Sequence, residues 1–231
     1  MRRSRKNLSN NKARTLITKM NPRSPISEQY RTIRTNLQFA SVDSDLRTMM
    51  VTSAGPSEGK SLTTANLAVT FAQQEKKVLL IDADMRKPTL HYTFRLDNSH
   101  GLSSVLIGDQ SLDQVVRGSD LDNLHLIPSG PIPPNPSELL GSKAMDNFLR
   151  IAKNYYDIVI FDTPPVLAVT DGQILSRICD GVLLVSRSKQ TEIDAGKKAV
   201  DLLKQVDANL LGAVLNDVEA KNSNYYYYYG N

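Results

Sequence analysis

TMMVTSAGPSEGKSLTTANLAVTFAQQ, residues 48–74, decides the fold. Its first six residues are an apolar run short enough for one buried strand, and from Lys60 onward the pattern is helical. Between them lies a turn rich in Gly, Pro and Ser. Ala54 to Ser61 fit the phosphate-binding loop pattern x-x-x-x-x-G-K-S, with Ala54 where Gly is usual, and the strand before and helix after are the context this motif requires. The chemistry needs these residue types. Gly55 and Gly59 let the backbone bend so that successive N–H groups converge on phosphate oxygens. The helix starting near Lys60 adds the positive end of its dipole. Lys60 reaches the β- and γ-phosphates, and the Ser61 hydroxyl is a hard oxygen ligand for Mg2+. The nucleotide-binding segment is therefore Gly55, Pro56, Ser57, Glu58, Gly59, Lys60, Ser61 and Leu62.

Outward from this loop, apolar runs alternate with helical patterns. Strands are expected at 48–53, 77–82, 124–129, 157–162, 181–186 and 210–216. Helices are expected at about 26–41, 60–74, 136–152, 171–178 and 192–206, with shorter ones near 101–107 and 111–117. In NPSELL, Asn135 can cap, Pro136 suits the first helical position and Glu138 completes a capping box. The Val/Ile/Leu runs are near-continuous rather than alternating, which marks strands buried on both faces. Strict strand–helix alternation predicts an α/β fold, a mainly parallel sheet sandwiched by helices, of P-loop NTPase type, with ligands at the carboxyl ends of the strands.

Two further runs end in carboxylates, VLLIDADMRKP and IVIFDTPP. Asp82, Asp84 and Asp162 all fall on the edge that carries the phosphate loop. A lone strand-end Asp is often a turn former or cap, but three beside a phosphate loop point to chemistry. Asp162, after four apolar residues, suits the acid that holds Mg2+ through water in nucleotide hydrolases, and Asp82 is a second candidate metal ligand beside Ser61. Guanine readers carry Asn-Lys-x-Asp after a late strand. This chain has LNDVEA there, which favours ATP. Asn216 either contacts adenine or caps its own turn.

The chain has 231 residues, 40% hydrophobic and 23% charged, enough for one large domain with a real core. Its net charge of +4 is uneven. Eight Lys and Arg residues, Arg2 to Arg23, precede the first acid, Glu28, so the rest is slightly acidic, which argues against nucleic acid as a partner. The division expected is a basic flexible arm over 1–24, a catalytic domain over 25–217 and a flexible tail over 218–231. The single cysteine, Cys179, excludes an internal disulfide and fits a reducing compartment. No apolar run reaches the ~18 residues needed to span a bilayer, and no signal-peptide core follows the basic start. A cytoplasmic protein is expected, recruited to the inner face of the plasma membrane through a membrane partner.

Taken together these motifs resemble the bacterial tyrosine kinases of capsule and exopolysaccharide systems. The resemblance runs from Pro25 to the end. It rests on the phosphate loop, on LLIDADMR with Asp82, Asp84 and Arg86, on IVIFDTPP, on GPIPPNPSELL, on the E-x-x-R-x-x-R helix with Glu28, Arg31 and Arg34, and on the tyrosine-rich end. It implies an ATP- and Mg2+-dependent protein-tyrosine kinase that phosphorylates its own tail in trans within a ring, an octamer, and acts on other protein substrates. It also implies a separate transmembrane activator, a cognate tyrosine phosphatase and a role in polysaccharide biosynthesis. Lys60, Asp82, Asp84 and Arg86 would be catalytic: Asp82 or Asp84 takes or orients the tyrosine proton, and Arg86 neutralises charge. Glu28, Arg31 and Arg34 would make subunit contacts. By pattern alone they would be a solvated, salt-bridging helix face.

The end of the chain, KNSNYYYYYGN, holds five of the nine tyrosines: Tyr225, Tyr226, Tyr227, Tyr228 and Tyr229. A staple would need a chain held in place, and a membrane foot would want Trp, Phe or Leu among basic residues. A substrate for phosphorylation remains. Two other classes share the phosphate loop. A partition- or division-type ATPase switch usually carries an extra lysine early in the loop, where this chain has Gly55. A nucleotide-gated adaptor of a polysaccharide exporter would bind ATP without transferring phosphate.

Overall fold

The computed structural model describes residues 15–40 and 45–219. Residues 1–14 of the basic arm and the tyrosine run Tyr225–Tyr229 lie outside the described residues. Along the chain the elements are α1 Ile17–Met20, α2 Pro25–Ala40, β1 Thr48–Ser53, α3 Lys60–Ala72, β2 Val78–Asp82, α4 Leu90–Phe94, α5 Leu102–Leu106 and α6 Leu112–Val115. They continue with β3 Arg117–Gly118, β4 Leu124–Ile127, α7 Pro136–Leu140, α8 Lys143–Tyr155, β5 Ile158–Asp162, α9 Asp171–Ser176, β6 Gly181–Arg187, α10 Ile193–Gln205 and β7 Leu210–Asn216.

The strands form one sheet in the order β3-β4-β2-β5-β1-β6-β7. Every pairing is parallel except that of β3 with β4. All six residues of β1 and all five of β2 and β5 are buried, as continuous apolar runs require in a sheet covered on both sides. Strand alternation divides them between two apolar layers. Met49, Val51, Val78 and Leu80 pack with α2 and α3, while Met50, Leu79, Ile81 and Phe161 pack with α5, α8, α9 and α10. This is the α/β sandwich that the alternation predicts, and β1, with the phosphate loop at its carboxyl end, runs through its middle.

Four local expectations change. The helix expected over 136–152 breaks into α7 and α8 at Gly141–Ser142, where the Ser142 hydroxyl accepts from the Met145 N–H at 3.3 Å and starts a new helix. The Asn135 capping box does not form, because the Asn135 amide donates to the Glu138 carboxylate instead of receiving a backbone N–H. Helix α6 ends at Val115, and Arg117–Gly118 become a two-residue antiparallel edge too short to leave a periodic signal.

The arm also ends earlier than residue 24. Thr18 in α1 is fully buried. Its hydroxyl donates to the Asn66 side chain at 2.9 Å, its N–H donates to the same Asn66 oxygen at 3.1 Å, and Gln73 donates to its carbonyl at 2.9 Å. These bonds hold α1 on α3, so residues 15–24 belong to the folded body.

Candidate active site

The phosphate loop leaves β1 at Ser53 and enters α3 at Lys60. Ser57 has φ +65° and Gly59 has φ +90°, so the loop turns twice through the left-handed region. Ser57 accepts a conformation that disfavours side chains, as short polar residues in functional loops do. At Gly59 no alternative exists. A Cβ there would lie 2.0 Å from Nδ2 of Asn216, so the close approach of β7 to the loop requires glycine.

Lys60 is buried, and its ammonium meets three side-chain oxygens: Asp84 Oδ2, Asp162 Oδ1 and Ser61 Oγ, each at 3.2 Å. Burial by itself would lower its pKa, but Asp162, Asp84 and Asp82 outweigh that and hold the ammonium above its ordinary value. Asp162 is fully buried at the end of β5. Burial pushes its carboxyl up, while Lys60 and the Ser61 hydroxyl draw it down without reversing the shift. Its second oxygen, Oδ2, is buried with no partner among the described residues. An unpaired carboxylate oxygen in a protein interior costs free energy unless a ligand satisfies it.

Asp82 and Asp162 stand directly opposite each other on β2 and β5. Burial, with the facing Asp162 charge adding to it, pushes Asp82 up to about 7. The Asp82 oxygens are nonetheless taken by backbone. One accepts the Asp84 N–H at 3.2 Å, and the other accepts the N–H groups of Thr89 and Leu90 at 2.8 and 2.9 Å. Asp82 thus folds residues 83–90 into a compact turn at the start of α4, and this turn carries Asp84 to Lys60. The two acids of the DAD stretch, alike in sequence, stand in different surroundings.

Arg86, expected to neutralise charge, makes a two-pronged pair with Asp171: Nε to Oδ2 at 2.9 Å and Nη2 to Oδ1 at 3.0 Å. Ser137 donates to Asp171 at 2.6 Å and accepts from Arg86 at 3.1 Å. Asp171 is fully buried at the first position of α9, where the helix dipole favours a carboxylate. Asp171 and Ser137 tie the turn after β2 to α7 and α9. Sequence reasoning missed both, since Asp171 lies 85 residues from Arg86. Asn216 donates to the Glu58 carbonyl at 3.0 Å, which brings the end of β7 into the site.

Of the three residues assigned to subunit contacts, Arg34 departs from expectation. It is 9% exposed and donates to the Thr70 carbonyl at 2.6 Å. Thr70 lies in the last turn of α3, where carbonyls lack helical partners and an arginine complements the dipole. The buried face of α2 therefore runs through Ser27, Arg34 and Leu37, while Ile26 is exposed. Arg31 pairs with Glu28 and donates to the Pro22 carbonyl at 2.7 Å, and both side chains remain partly exposed.

Cys179 is buried, and burial pushes its thiol well up. No helix among the described residues is long and apolar enough to cross a membrane.

A family model described as an AAA domain matches residues 47–214. The tyrosine-protein kinase YwqD of Bacillus subtilis is 52% identical over 226 residues, covering 98% of this chain and 95% of that protein. The putative tyrosine-protein kinase CapB of Staphylococcus aureus is 42% identical over 210 residues, covering 90% and 92%. Among solved structures, the kinase domain of the Escherichia coli tyrosine kinase ETK superposes with a TM-score of 0.86 at 36% identity, covering 96% of this chain and 85% of that one. A phosphate loop with a buried lysine between two carboxylates, in a chain this similar over nearly its whole length, places the protein: it belongs to the bacterial tyrosine kinases and is a protein-tyrosine kinase.

Proposed function

We propose that the chain uses ATP with Mg2+ to phosphorylate tyrosines of its own tail, Tyr225 to Tyr229, on neighbouring copies within a ring oligomer, and that this controls capsular or exopolysaccharide biosynthesis. The observation that carries the reading is the meeting of Lys60, Ser61, Asp84 and Asp162 at 3.2 Å on the carboxyl edge of the sheet. Two ion pairs at the same edge support the tail as substrate. Arg187 Nη2 holds Asp217 at 2.7 Å and Lys189 holds Glu219 at 2.7 Å, and Arg187 Nη1 donates to the Ser57 carbonyl at 3.4 Å, which brings Asp217 near the phosphate loop.

The donor set fits Mg2+. Ser61 Oγ and Asp162 offer hard oxygens, and Asp162 Oδ2 has no partner within the described fold. Mg2+ bound with ATP would neutralise charge on the β- and γ-phosphates. In the free chain Lys60 is held by carboxylates, and on ATP binding its ammonium exchanges them for phosphate oxygens. Asp84, released from Lys60, is then the base that accepts or orients the tyrosine proton. Asp82, whose oxygens serve three N–H groups, shapes the turn that carries Asp84. A phenol of pKa near 10 is a weak nucleophile at pH 7, but a loose phosphoryl-transfer transition state asks mainly for alignment and charge neutralisation.

Glu28 and Arg31 are the proposed subunit contacts, with Arg34 bracing α2 on α3 behind them. A separate transmembrane activator recruits the kinase to the inner face of the membrane, a cognate phosphatase reverses the modification, and other proteins serve as substrates. Lys60→Met tests the core of the reading. Tail phosphotyrosine, followed by mass spectrometry after incubation with Mg-ATP, should vanish while the circular dichroism spectrum is kept; undiminished phosphotyrosine would sink the assignment.

A further inference from the structure

Glu58 is the one acid in the phosphate loop, and a carboxylate is an odd neighbour for a triphosphate. It is 7% exposed. Its Oε2 accepts the Ala54 N–H at 3.2 Å and its Oε1 accepts the Gly55 N–H at 3.2 Å, so the side chain reaches back across the loop to where it leaves β1. Its carbonyl meanwhile accepts from Asn216 Nδ2 at 3.0 Å. The residues on either side, Ser57 and Gly59, are the two with positive φ. One residue thus joins the start of the loop, its crest and the end of β7.

We propose that Glu58 is a positioning residue for nucleotide binding. Its carboxylate braces the first half of the loop, and its carbonyl anchors the crest to Asn216, so that the N–H groups leading into α3 are aligned before nucleotide arrives. Two adjacent amides engage the carboxylate, one on each oxygen, and that engagement turns its charge away from the phosphates. Asn216 acts in the same brace through the Glu58 carbonyl, in the space that Gly59 leaves open. The inference rests on the nucleotide site proposed above, but it does not depend on which hydroxyl receives the phosphate.

The test uses the full chain with Glu58→Ala, Glu58→Gln and Asn216→Ala. Mg-ADP binding is measured by calorimetry, and KM for ATP and kcat are measured on tail phosphotyrosine. Glu58→Ala leaves two amides unbraced and should weaken Mg-ADP binding and raise KM by about tenfold. At saturating ATP, kcat should change by less than about twofold, because only uniform binding is lost. Glu58→Gln keeps one acceptor oxygen and the same shape, and should return affinity to within about threefold of the parent. The effects of Glu58→Ala and Asn216→Ala should be less than additive. Equal or tighter Mg-ADP binding by Glu58→Ala would overturn the proposal, since the carboxylate would then be an obstacle that nucleotide displaces. Equal weakening in Ala and Gln variants would also overturn it. If the parent binds Mg-ADP but makes no phosphotyrosine, the kinase mechanism fails while the calorimetric arm still decides the role of Glu58.

Discussion

The two ends of the sheet handle charge in opposite ways. At the amino edge, Asp180 accepts the Arg47 N–H at 3.0 Å, the Thr48 N–H at 2.7 Å and the Thr48 hydroxyl at 2.8 Å. Arg47 in turn donates to the Lys153 carbonyl in the last turn of α8 and to the carbonyls of Tyr156 and Asp157 between α8 and β5. Most of these partners are backbone groups, and the set is closed. At the carboxyl edge, among the described residues, the Lys60 ammonium bonds only to side chains and Asp162 keeps one oxygen without a partner. A closed polar network stabilises a fold, whereas an open one stores the interactions a ligand will complete. On the proposed mechanism the same sheet separates stability at one end from chemistry at the other.

Breaking the carboxyl edge should remove activity and spare the fold. Lys60→Met, or removal of divalent metal with EDTA, should lower tail phosphorylation by roughly a hundredfold or more while the circular dichroism spectrum of the nucleotide-free protein is kept, although Lys60→Met leaves Asp84 and Asp162 without their cation and should lower its thermal midpoint. Asp162→Asn should lower the rate by a similar order. Because it deletes a buried charge with an unpartnered oxygen, it should leave stability within about 1 kcal/mol of the parent in chemical denaturation. A large loss of stability in Asp162→Asn would show that the carboxyl edge holds the fold after all.

Breaking the amino edge should do the reverse. Asp180→Ala leaves the Thr48 N–H and hydroxyl short of an acceptor, while the Arg47 N–H keeps the Asp45 carbonyl at 2.9 Å, and should destabilise by about 1–3 kcal/mol, a few degrees in Tm, with kcat per folded molecule unchanged. Loss of kcat at full folding would erase the distinction between the two ends.

Arg86 lies between these extremes. Arg86→Ala leaves the buried Asp171 carboxylate without its guanidinium and should cost about 1–3 kcal/mol, discounted for the partly exposed arginine. It should also slow phosphorylation, since the same turn carries Asp84. Asp171→Asn keeps the shape and should do less of both, and equal damage by the two variants would count against the clamp. The smallest effect is expected at Cys179. Its buried, upshifted thiol should resist iodoacetamide in the folded protein and react on unfolding, as read by mass spectrometry.

Local patterns were legible because they depend on a few neighbouring residues. The loop at Ala54–Ser61, the buried strands and the carboxylates closing β2 and β5 follow from apolar runs, glycine positions and strand ends. So does Pro136 at the start of α7. Asp82 and Asp84 could not be told apart from spacing, because what separates them is the backbone of residues 84–90 folding over one and Lys60 meeting the other. Arg34 looked like a surface residue because helical periodicity cannot say that a neighbouring helix will end against it. Thr18 looked like part of a charged leader because its partner, Asn66, lies 48 residues away.

By itself, then, the sequence determined most of the elements that form and which chemical groups the carboxyl edge would carry. Backbone preferences and hydrophobic periodicity act over short distances, and the phosphate loop is one continuous segment. Only the tertiary structure decided which carboxylate faces Lys60, that Asp171 and Ser137 hold Arg86, and that Asn216 reaches the crest of the phosphate loop. Those outcomes depend on strand order and register, which place β2, β5, β1, β6 and β7 side by side although the chain visits them in another order. A pairing energy between groups brought together in this way has no trace in either local stretch.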